Sequence, residues 1–335
     1  MASGETIVLT RNDVADLLDI GTCIPAVENA FRSYGEGKTA TPKVLAVHVD
    51  SGAFHIKAGE MQLEHRYFVA KTNANFPLNP KKFDLPTIQG IIIVFDANNG
   101  RVLAIMDSGE LTILRTGAAT GVAAKYLSKS GSSVATICGC GLQGVISLKA
   151  LINVRRIQTA YAFDVDYERT KQFASTLSAE LKISIIPVKK LSEATLQSDI
   201  CVTCTPSKQP LLFKEDVKAG CFIAAVGTDN EEKNEIDADL LASCKIVTDI
   251  THQCATIGDL HHALRKGKVK VSDVHAELGQ IIAGKKPGRT NDEEIILFDS
   301  TGMALQDVAA ASIVYERALD EGYGTTLDFS KSLNQ

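Results

Sequence analysis

The residues with the clearest chemical potential form a glycine-rich turn, Gly139-Cys140-Gly141-Leu142-Gln143-Gly144. The turn follows a short apolar run and precedes a segment with helical spacing, so a strand, a tight turn and a helix are predicted. A second apolar run ends in Asp164, twenty positions after Gly144. Amides at the start of such a helix bind phosphate, and an acid after the second strand accepts hydrogen bonds from a ribose. The pattern predicts a dinucleotide-binding βαβ unit.

The same unit indicates which dinucleotide would bind. Gly139 allows the tight turn, Gly141 the close approach of a pyrophosphate, and Gly144 the packing of the helix against the strand. Asp164 can hydrogen-bond both ribose hydroxyls and repels a 2′-phosphate, which favours NAD(H). Arg169 lies close by in the sequence and leaves NADP(H) open.

Three charged residues outside this unit have unusual neighbours: Lys71, Arg115 and Asp229. Lys71 ends an apolar run and is either a surface lysine or a cation directed at a ligand. Arg115 lies among apolar and small residues, where a guanidinium needs a substrate carboxylate or a structural acid as partner. Asp229 follows a predicted parallel strand, whose carboxyl end is where ligands gather in α/β sheets. It is a candidate site acid, with helix capping as the alternative.

Other polar residues extend this set of candidates. His55 and Lys57 alternate with Phe54 and Ile56, so both point to one face of a predicted strand. Lys43 is a third candidate cation on the preceding segment.

The spacing of cysteine and histidine predicts no metal site. Cys201-Val202-Thr203-Cys204 has CxxC spacing but lies in an apolar run without a second ligand pair nearby. His252, His261, His262 and His275 also lack the spacing of metal ligands. We interpret the eight cysteines as free thiols in a reducing compartment.

The order of predicted elements indicates two domains. Helices and alternating, antiparallel-looking strands fill the first part, whereas strands and helices alternate regularly after the glycine turn, as in a doubly wound parallel sheet. The last helix, about 304–319, is expected to return to the first domain. We therefore predict an α/β protein with a Rossmann domain over 116–302 and a smaller α+β substrate and dimerisation domain over 1–115 and 303–335.

The composition of the chain argues against nucleic-acid binding and against a membrane span. The chain has 335 residues, 45% of them hydrophobic, and a net charge of −5, which gives no electrostatic footprint for nucleic acid. No apolar run approaches about 18 residues and no signal-peptide pattern opens the chain, so we expect a cytoplasmic protein without a membrane span.

The sequence resembles the ornithine cyclodeaminase/μ-crystallin family over about residues 5–320. The resemblance is carried by several separate motifs, including the glycine turn. The others are Lys71 with Phe76-Pro77-Leu78-Asn79-Pro80, Leu85-Pro86-Thr87, Leu111-Thr112-Ile113-Leu114-Arg115-Thr116-Gly117-Ala118-Ala119, Val226-Gly227-Thr228-Asp229 with Lys233 and Glu235-Ile236-Asp237, and Phe298-Asp299-Ser300-Thr301-Gly302 with Gln306-Asp307.

The resemblance implies a homodimer that binds an amino or imino acid over a nicotinamide. It implies that Lys71 and Arg115 hold the substrate carboxylate or polarise the reacting carbon, and that Asp229 is the acid/base group beside the substrate nitrogen. Lys43, His55 and Thr301 are expected to contact the substrate as well. The expected cofactor-binding residues are Thr116, Gly139, Gly141, Leu142, Gln143, Gly144, Asp164, Thr205, Val226, Gly227 and Ser300.

Two departures from the cyclodeaminase pattern argue against a diamine substrate. Lys43 stands where those enzymes have arginine, and the strand around His55 and Lys57 is basic where they carry a glutamate for the distal ammonium of a diamine. Like charges would repel such a substrate. The motifs look more like the branch of Δ1-pyrroline-2-carboxylate reductases and archaeal-type alanine dehydrogenases, although His55 stands where the latter have arginine.

This comparison predicts an NAD(P)H-dependent reductase of a small cyclic α-imino acid. The expected substrate is Δ1-pyrroline-2-carboxylate or its six-membered homologue Δ1-piperideine-2-carboxylate, reduced to L-proline or L-pipecolate. Three alternatives stay open: an alanine dehydrogenase acting on pyruvate and ammonia, an ornithine cyclodeaminase, and a non-catalytic μ-crystallin-like binder.

Overall fold

The computed structural model describes residues 5–228 and 230–329. The chain divides into two compact units, unit 1 (Met1–Arg115 with Met303–Gln335) and unit 2 (Thr116–Gly302). Within the described ranges, no helix is both long and apolar enough to cross a membrane.

Strands and helices follow one another along the described chain, with two short 3-10 turns at Lys214–Asp216 and Val271–Asp273. The strands are β1 (Glu5–Leu9), β2 (Lys43–Val49), β3 (Gly52–Gln62), β4 (Arg66–Asn75), β5 (Ile88–Asp96), β6 (Val102–Asp107), β7 (Val134–Cys138), β8 (Thr159–Phe163), β9 (Ser184–Pro187), β10 (Ile200–Thr203), β11 (Phe222–Ala225), β12 (Lys245–Thr248), β13 (Val274–Glu277), β14 (Ile296–Asp299) and β15 (Thr325–Asp328). The helices are α1 (Arg11–Leu17), α2 (Ile20–Glu36), α3 (Asn79–Lys82), α4 (Gly109–Leu127), α5 (Leu142–Val154), α6 (Tyr167–Leu181), α7 (Leu191–Thr195), α8 (Ala238–Ser243), α9 (Thr251–Ile257), α10 (Asp259–Arg265), α11 (Leu278–Ile282) and α12 (Ala304–Glu321).

Unit 1 contains a sheet with the strand order β15-β1-β6-β5-β4-β3-β2. Its strands pair antiparallel, as predicted, except that β1 runs parallel to β6. Helix α12 packs on β3 and β4, and its first two turns, from Ala304 to Ala311, are buried on every side. Consequently, any charged residue in that part of α12 must find its partners inside the protein.

Unit 2 contains a parallel sheet with the order β13-β12-β14-β11-β10-β7-β8-β9. The central strands β10, β11 and β14 are buried along their whole length, as expected for a sheet covered by helices on both faces. The chain order reverses between β7 and β10, which is the topological switch point where doubly wound sheets bind ligands. The predicted Rossmann architecture is thereby confirmed, and the glycine turn directly follows β7.

Most predicted elements lie within a few residues of their observed bounds, and the differences have local causes. The apolar pattern of residues 200–205 predicts a single strand, but β10 ends at Thr203, and the amide of Thr205 donates to the side chain of Glu235 instead. β15 was not predicted, since its four residues carry too little apolar pattern to stand out from a loop.

Candidate active site

The first candidate site lies on one face of the unit 1 sheet. In the antiparallel ladder, Lys57 pairs directly with Lys71, and His55 pairs with Asn73. Directly paired residues point to the same face, so these side chains form one polar row. Lys57, Lys71 and Asn73 are buried and His55 is partly buried. A buried row with two neighbouring lysines requires nearby negative charge.

That negative charge is Asp307 on α12. Its Oδ1 lies 2.7 Å from Lys71 Nζ and 3.1 Å from Arg115 Nε. Arg115 Nη1 also donates to Gln306 Oε1 at 3.0 Å, and Lys71 Nζ lies 3.4 Å from Thr112 Oγ1. One buried carboxylate thus orients both cations that the sequence singled out.

The pKa values of this pair reflect their surroundings. Burial, together with the charges of Arg115 and Lys57, lowers the pKa of Lys71 to about 7, against the opposing effect of Asp307. Burial alone would raise the pKa of Asp307, but Lys71 and Arg115 outweigh burial and lower it. The carboxylate is therefore ionised at neutral pH, while Lys71 can gain or lose a proton there. A cluster with more cations than acids can bind the carboxylate of a small acid.

Lys43 is placed differently from the other predicted substrate-binding residues. Lys43 is the first residue of β2 and pairs with Ala58, the residue that follows Lys57 on β3. Because side chains alternate along a strand, Lys43 points to the other face of the sheet from Lys57 and Lys71. The structure does not bring it into the polar row.

The glycine turn of unit 2 has the geometry expected for a phosphate-binding loop. Gly139 adopts φ +109°, and a Cβ there would lie 2.8 Å from the carbonyl oxygen of Cys204. A Cβ on Gly144 would overlap the carbonyl of Gly139. Gly141 caps α5 with an extended backbone, no side-chain cap and open space around it. The exposed amides at the start of α5 can therefore receive the phosphates of a dinucleotide.

Asp164 lies beside this turn at the end of β8. Its Oδ2 accepts a hydrogen bond from the Cys140 amide at 2.9 Å, and its Oδ1 accepts one from the Asp166 amide at 3.0 Å. Arg169, an exposed side chain, approaches Oδ2 to 3.9 Å. The carboxylate is held by two amides and keeps lone pairs that a ribose can use. These residues fit a dinucleotide.

The remaining predicted cofactor residues lie mostly at the carboxyl edge of the parallel sheet. Thr205 follows β10, Val226 and Gly227 follow β11, and Ser300 follows β14, whereas Thr116 lies in α4. The Ser300 hydroxyl donates to Asp249 Oδ2 at 3.1 Å. Both Ser300 and the predicted substrate residue Thr301 are buried.

Asp229 lies outside the described residues, so its predicted acid/base role stays a prediction.

Thr301 Oγ1 accepts from Gln253 Nε2 at 2.8 Å and lies 3.4 Å from Asp249 Oδ1. The amide of Gly302 also donates to Asp249 Oδ2 at 2.6 Å. These hydrogen bonds hold the segment from Ser300 to Gly302 in place.

Asp307 and Glu235 are among the buried acids that were given no role from the sequence. Asp307 lies in an apolar, alanine-rich helix segment, and that signal is the same one that singled out Arg115. Glu235 stands before Ile236 in a segment without clear periodicity, so no comparable signal marks it.

The cysteines of the structure are free thiols. Cys201 and Cys221 lie with their sulfurs 3.7 Å apart in the core of unit 2, and burial raises the pKa of Cys254 well above its usual value. In the described part of the chain, no group of three or more His, Cys, Asp or Glu side chains is arranged to hold a metal ion.

Similarity to known proteins shows the family of this chain. The model of the ornithine cyclodeaminase/mu-crystallin family matches residues 4–322. The chain belongs to this family. Among its members, the alanine dehydrogenase of Archaeoglobus fulgidus is 39% identical over 326 residues, covering 97% of this chain and 99% of that protein. The iminosuccinate reductase of Paracoccus denitrificans is 33% identical over 318 residues, covering 94% and 98%.

Solved structures of family members superpose closely on this chain. An archaeal alanine dehydrogenase dimer with bound NAD has a TM-score of 0.93 at 40% identity, covering 97% of this chain and 99% of that one. The Δ1-pyrroline-2-carboxylate reductase of Thermococcus litoralis, in complex with NADH and L-proline, has a TM-score of 0.91 at 32% identity, covering 96% and 99%.

Proposed function

We propose that this protein is an NAD(P)-dependent oxidoreductase that reduces the C=N bond of a small α-imino acid. The observation that carries the proposal is the buried pair Lys71 and Arg115, both held by the single carboxylate of Asp307. Family members named as alanine dehydrogenase, iminosuccinate reductase and Δ1-pyrroline-2-carboxylate reductase support it. Each of these names describes amino- or imino-acid chemistry.

The finer proposal is that the substrate is a cyclic imino acid, Δ1-pyrroline-2-carboxylate or Δ1-piperideine-2-carboxylate. The relative solved with NADH and L-proline supports it, because proline is the product of the five-membered imine. The basic row of Lys57 and Lys71 opposes a diamine such as ornithine, because like charges would repel it. Alanine dehydrogenase activity is the second candidate, favoured by the 39% identity with the Archaeoglobus fulgidus enzyme.

In this proposal, the residues of unit 1 bind and orient the acid. Arg115 and Lys71 hold the substrate carboxylate, and Asp307 fixes both cations before the substrate arrives. Lys71, with a pKa of about 7, can also donate a proton near neutral pH. By resemblance, Asp229 is the acid/base group at the substrate nitrogen.

The residues of unit 2 bind the dinucleotide, which supplies the hydride. The amides at the start of α5 receive its phosphates, and Asp164 receives the ribose hydroxyls. A carboxylate at this position opposes a 2′-phosphate, so the proposal favours NAD(H) over NADP(H). Structures of relatives with NAD and NADH support this choice.

We also propose that the protein is a cytoplasmic homodimer. Strand β2 is an edge strand and every residue of it is exposed, including Leu45 and Val47, which are 56% and 45% exposed. Apolar edge strands are normally covered, and an archaeal relative is a dimer. Free, mostly buried thiols fit a reducing compartment. Sedimentation velocity should report a particle of twice the chain mass.

The direct test is NADH oxidation, followed by loss of NADH absorbance, with Δ1-pyrroline-2-carboxylate beside pyruvate plus ammonium. We expect rapid oxidation with the cyclic imine and a slower rate with NADPH. Oxidation only with pyruvate and ammonium would instead establish an alanine dehydrogenase. No oxidation with either substrate would refute both the cyclic-imine and the alanine dehydrogenase assignments.

A further inference from the structure

Glu235 is a fully buried acid that joins the ends of two neighbouring strands of unit 2. Its Oε1 accepts from the amide of Thr205 at 2.6 Å and from the hydroxyl of Thr205 at 2.7 Å. Its Oε2 accepts from the amide of Gly227 at 3.0 Å. Thr205 follows β10 and Gly227 follows β11, so one carboxylate bridges both segments.

The directions of these hydrogen bonds are fixed by chemistry. The two amides can only donate. The hydroxyl of Thr205 already accepts from the amide of Ser207 at 3.2 Å, so its own hydrogen is free to point at Glu235. The two carboxyl oxygens of Glu235 therefore accept three hydrogen bonds, and the amide of glutamine could not replace them without facing one donor with another.

The backbone of Glu235 is itself held in place. Its carbonyl accepts from the amides of Leu211 and Leu212, and its amide donates to Asp259 Oδ1 at 2.8 Å. Leu212 and Ile236 form a parallel β-bridge. A side chain anchored in this way can fix the segments that it contacts.

The bridged segments border the glycine turn. The amide of Cys204 donates to the carbonyl of Cys138 at 2.9 Å, and the carbonyl of Cys204 packs against Gly139. The next residue, Thr205, is the one that Glu235 holds. One of the two bridged segments, the one after β10, therefore borders the switch point between β7 and β10, where doubly wound sheets bind ligands.

We propose that Glu235 is a positioning residue for the dinucleotide, which holds the segments after β10 and β11 in the conformation that receives the cofactor; this inference rests on the proposed function. Glu235 acts through Thr205 and Gly227 and leaves the reacting atoms to other residues. Its loss weakens cofactor binding because the two segments must be ordered again on each binding event.

The test is the affinity of the full-length protein for NADH, measured from the fluorescence of bound NADH without any substrate; the chain contains no tryptophan that would interfere. We expect Glu235→Gln to weaken NADH binding by about 10-fold or more, since its side-chain nitrogen can no longer accept a hydrogen bond from one of the two segments. At saturating NADH, its kcat should fall much less than its KM for NADH rises. A wild-type dissociation constant in the folded variant would overturn the proposal.

Two further variants separate positioning from general destabilisation. Leu240→Ala removes a buried side chain from the hydrophobic core of unit 2 and should lower Tm while leaving NADH affinity unchanged. If Glu235→Gln does not fold, Glu235→Asp decides, because a shorter acid cannot reach both segments and should bind NADH more weakly than wild type. Equal losses of affinity in Leu240→Ala and the Glu235 variants, or wild-type affinity in Glu235→Asp, would refute the inference. Failure of the wild-type protein to bind either NADH or NADPH would instead refute the proposed function.

Discussion

Asp307 of unit 1 and Glu235 of unit 2 are both buried carboxylates, yet they are stabilised in opposite ways. Asp307 is neutralised by the side-chain cations Lys71 and Arg115. Glu235 is held by the amides of Thr205 and Gly227 and by one hydroxyl. The pKa of Asp307 is lowered, because the cations outweigh burial, whereas burial raises the pKa of Glu235 despite its hydrogen bonds.

The difference shows how burial of an acid can serve two purposes. Around Asp307, full charges leave a net positive cluster that can bind an anionic substrate. Around Glu235, fixed dipoles satisfy the carboxylate without adding charge, which suits a residue that orders the backbone. Asp259 and Asp299 belong to the second kind, since they accept hydrogen bonds from the amides of Ile236 and Leu260.

The largest effect is expected from removing the charge of Asp307. Asp307→Asn leaves Lys71 and Arg115 buried without a counter-charge, and losing one partner of a buried ion pair costs about 3–5 kcal/mol of unfolding free energy. Urea unfolding would measure this loss. Asp320→Asn, on the exposed last turn of α12, is the matched control and should be neutral. Unchanged stability in Asp307→Asn would mean that the cluster is not held by charge.

The next prediction concerns the protonation of Lys71. Burial lowers its pKa to about 7, so the fraction carrying a proton falls as pH rises through 7. We expect kcat/KM for the cyclic imine to fall over the same range. Lys71→Arg keeps the charge but donates no proton, so activity should drop about 10²-fold and this limb of the pH profile should vanish.

The control for Lys71→Arg is Lys82→Arg, an exposed lysine of the same unit, which should retain the wild-type profile. If Lys71→Arg kept the decline near pH 7, another group would be responsible for it.

The features that could be predicted from the sequence are those whose residues lie close together along the chain. The glycine turn and Asp164 could be predicted because the strand, turn, helix and acid follow one another within one βαβ unit. Arg115 could be singled out because a charge among apolar residues is locally visible. These features depend on short-range pattern alone, and the structure places the turn and the acid side by side.

Features that depend on distant pairing could not be predicted in the same way. Lys71 and Asp307 are 236 positions apart, and only the fold makes them neighbours. The placement of Lys43 away from Lys57 depends on the register between β2 and β3, and a shift of one residue would reverse it. Glu235 reaches Thr205 across 30 positions through a segment without periodicity.

The smallest effect is expected from Asp299, an amide-held acid of unit 2. Burial raises its pKa to about 7, above the value of about 3.9 for an unfolded aspartate. Between these values the native state binds more protons than the unfolded chain, so Asp299 makes the unfolding free energy fall as pH rises from about 4 to about 7. The contribution of Asp307 has the opposite pH dependence, because its stabilisation is lost as pH falls through its lowered pKa.

Asp299→Asn removes the contribution of Asp299, so the Tm of this variant should vary less between pH 5 and pH 7 than that of wild type, by on the order of a few °C. An equal pH dependence in both proteins would show that Asp299 is ionised in the native state, and the contrast between the two kinds of buried acid would then not extend to it.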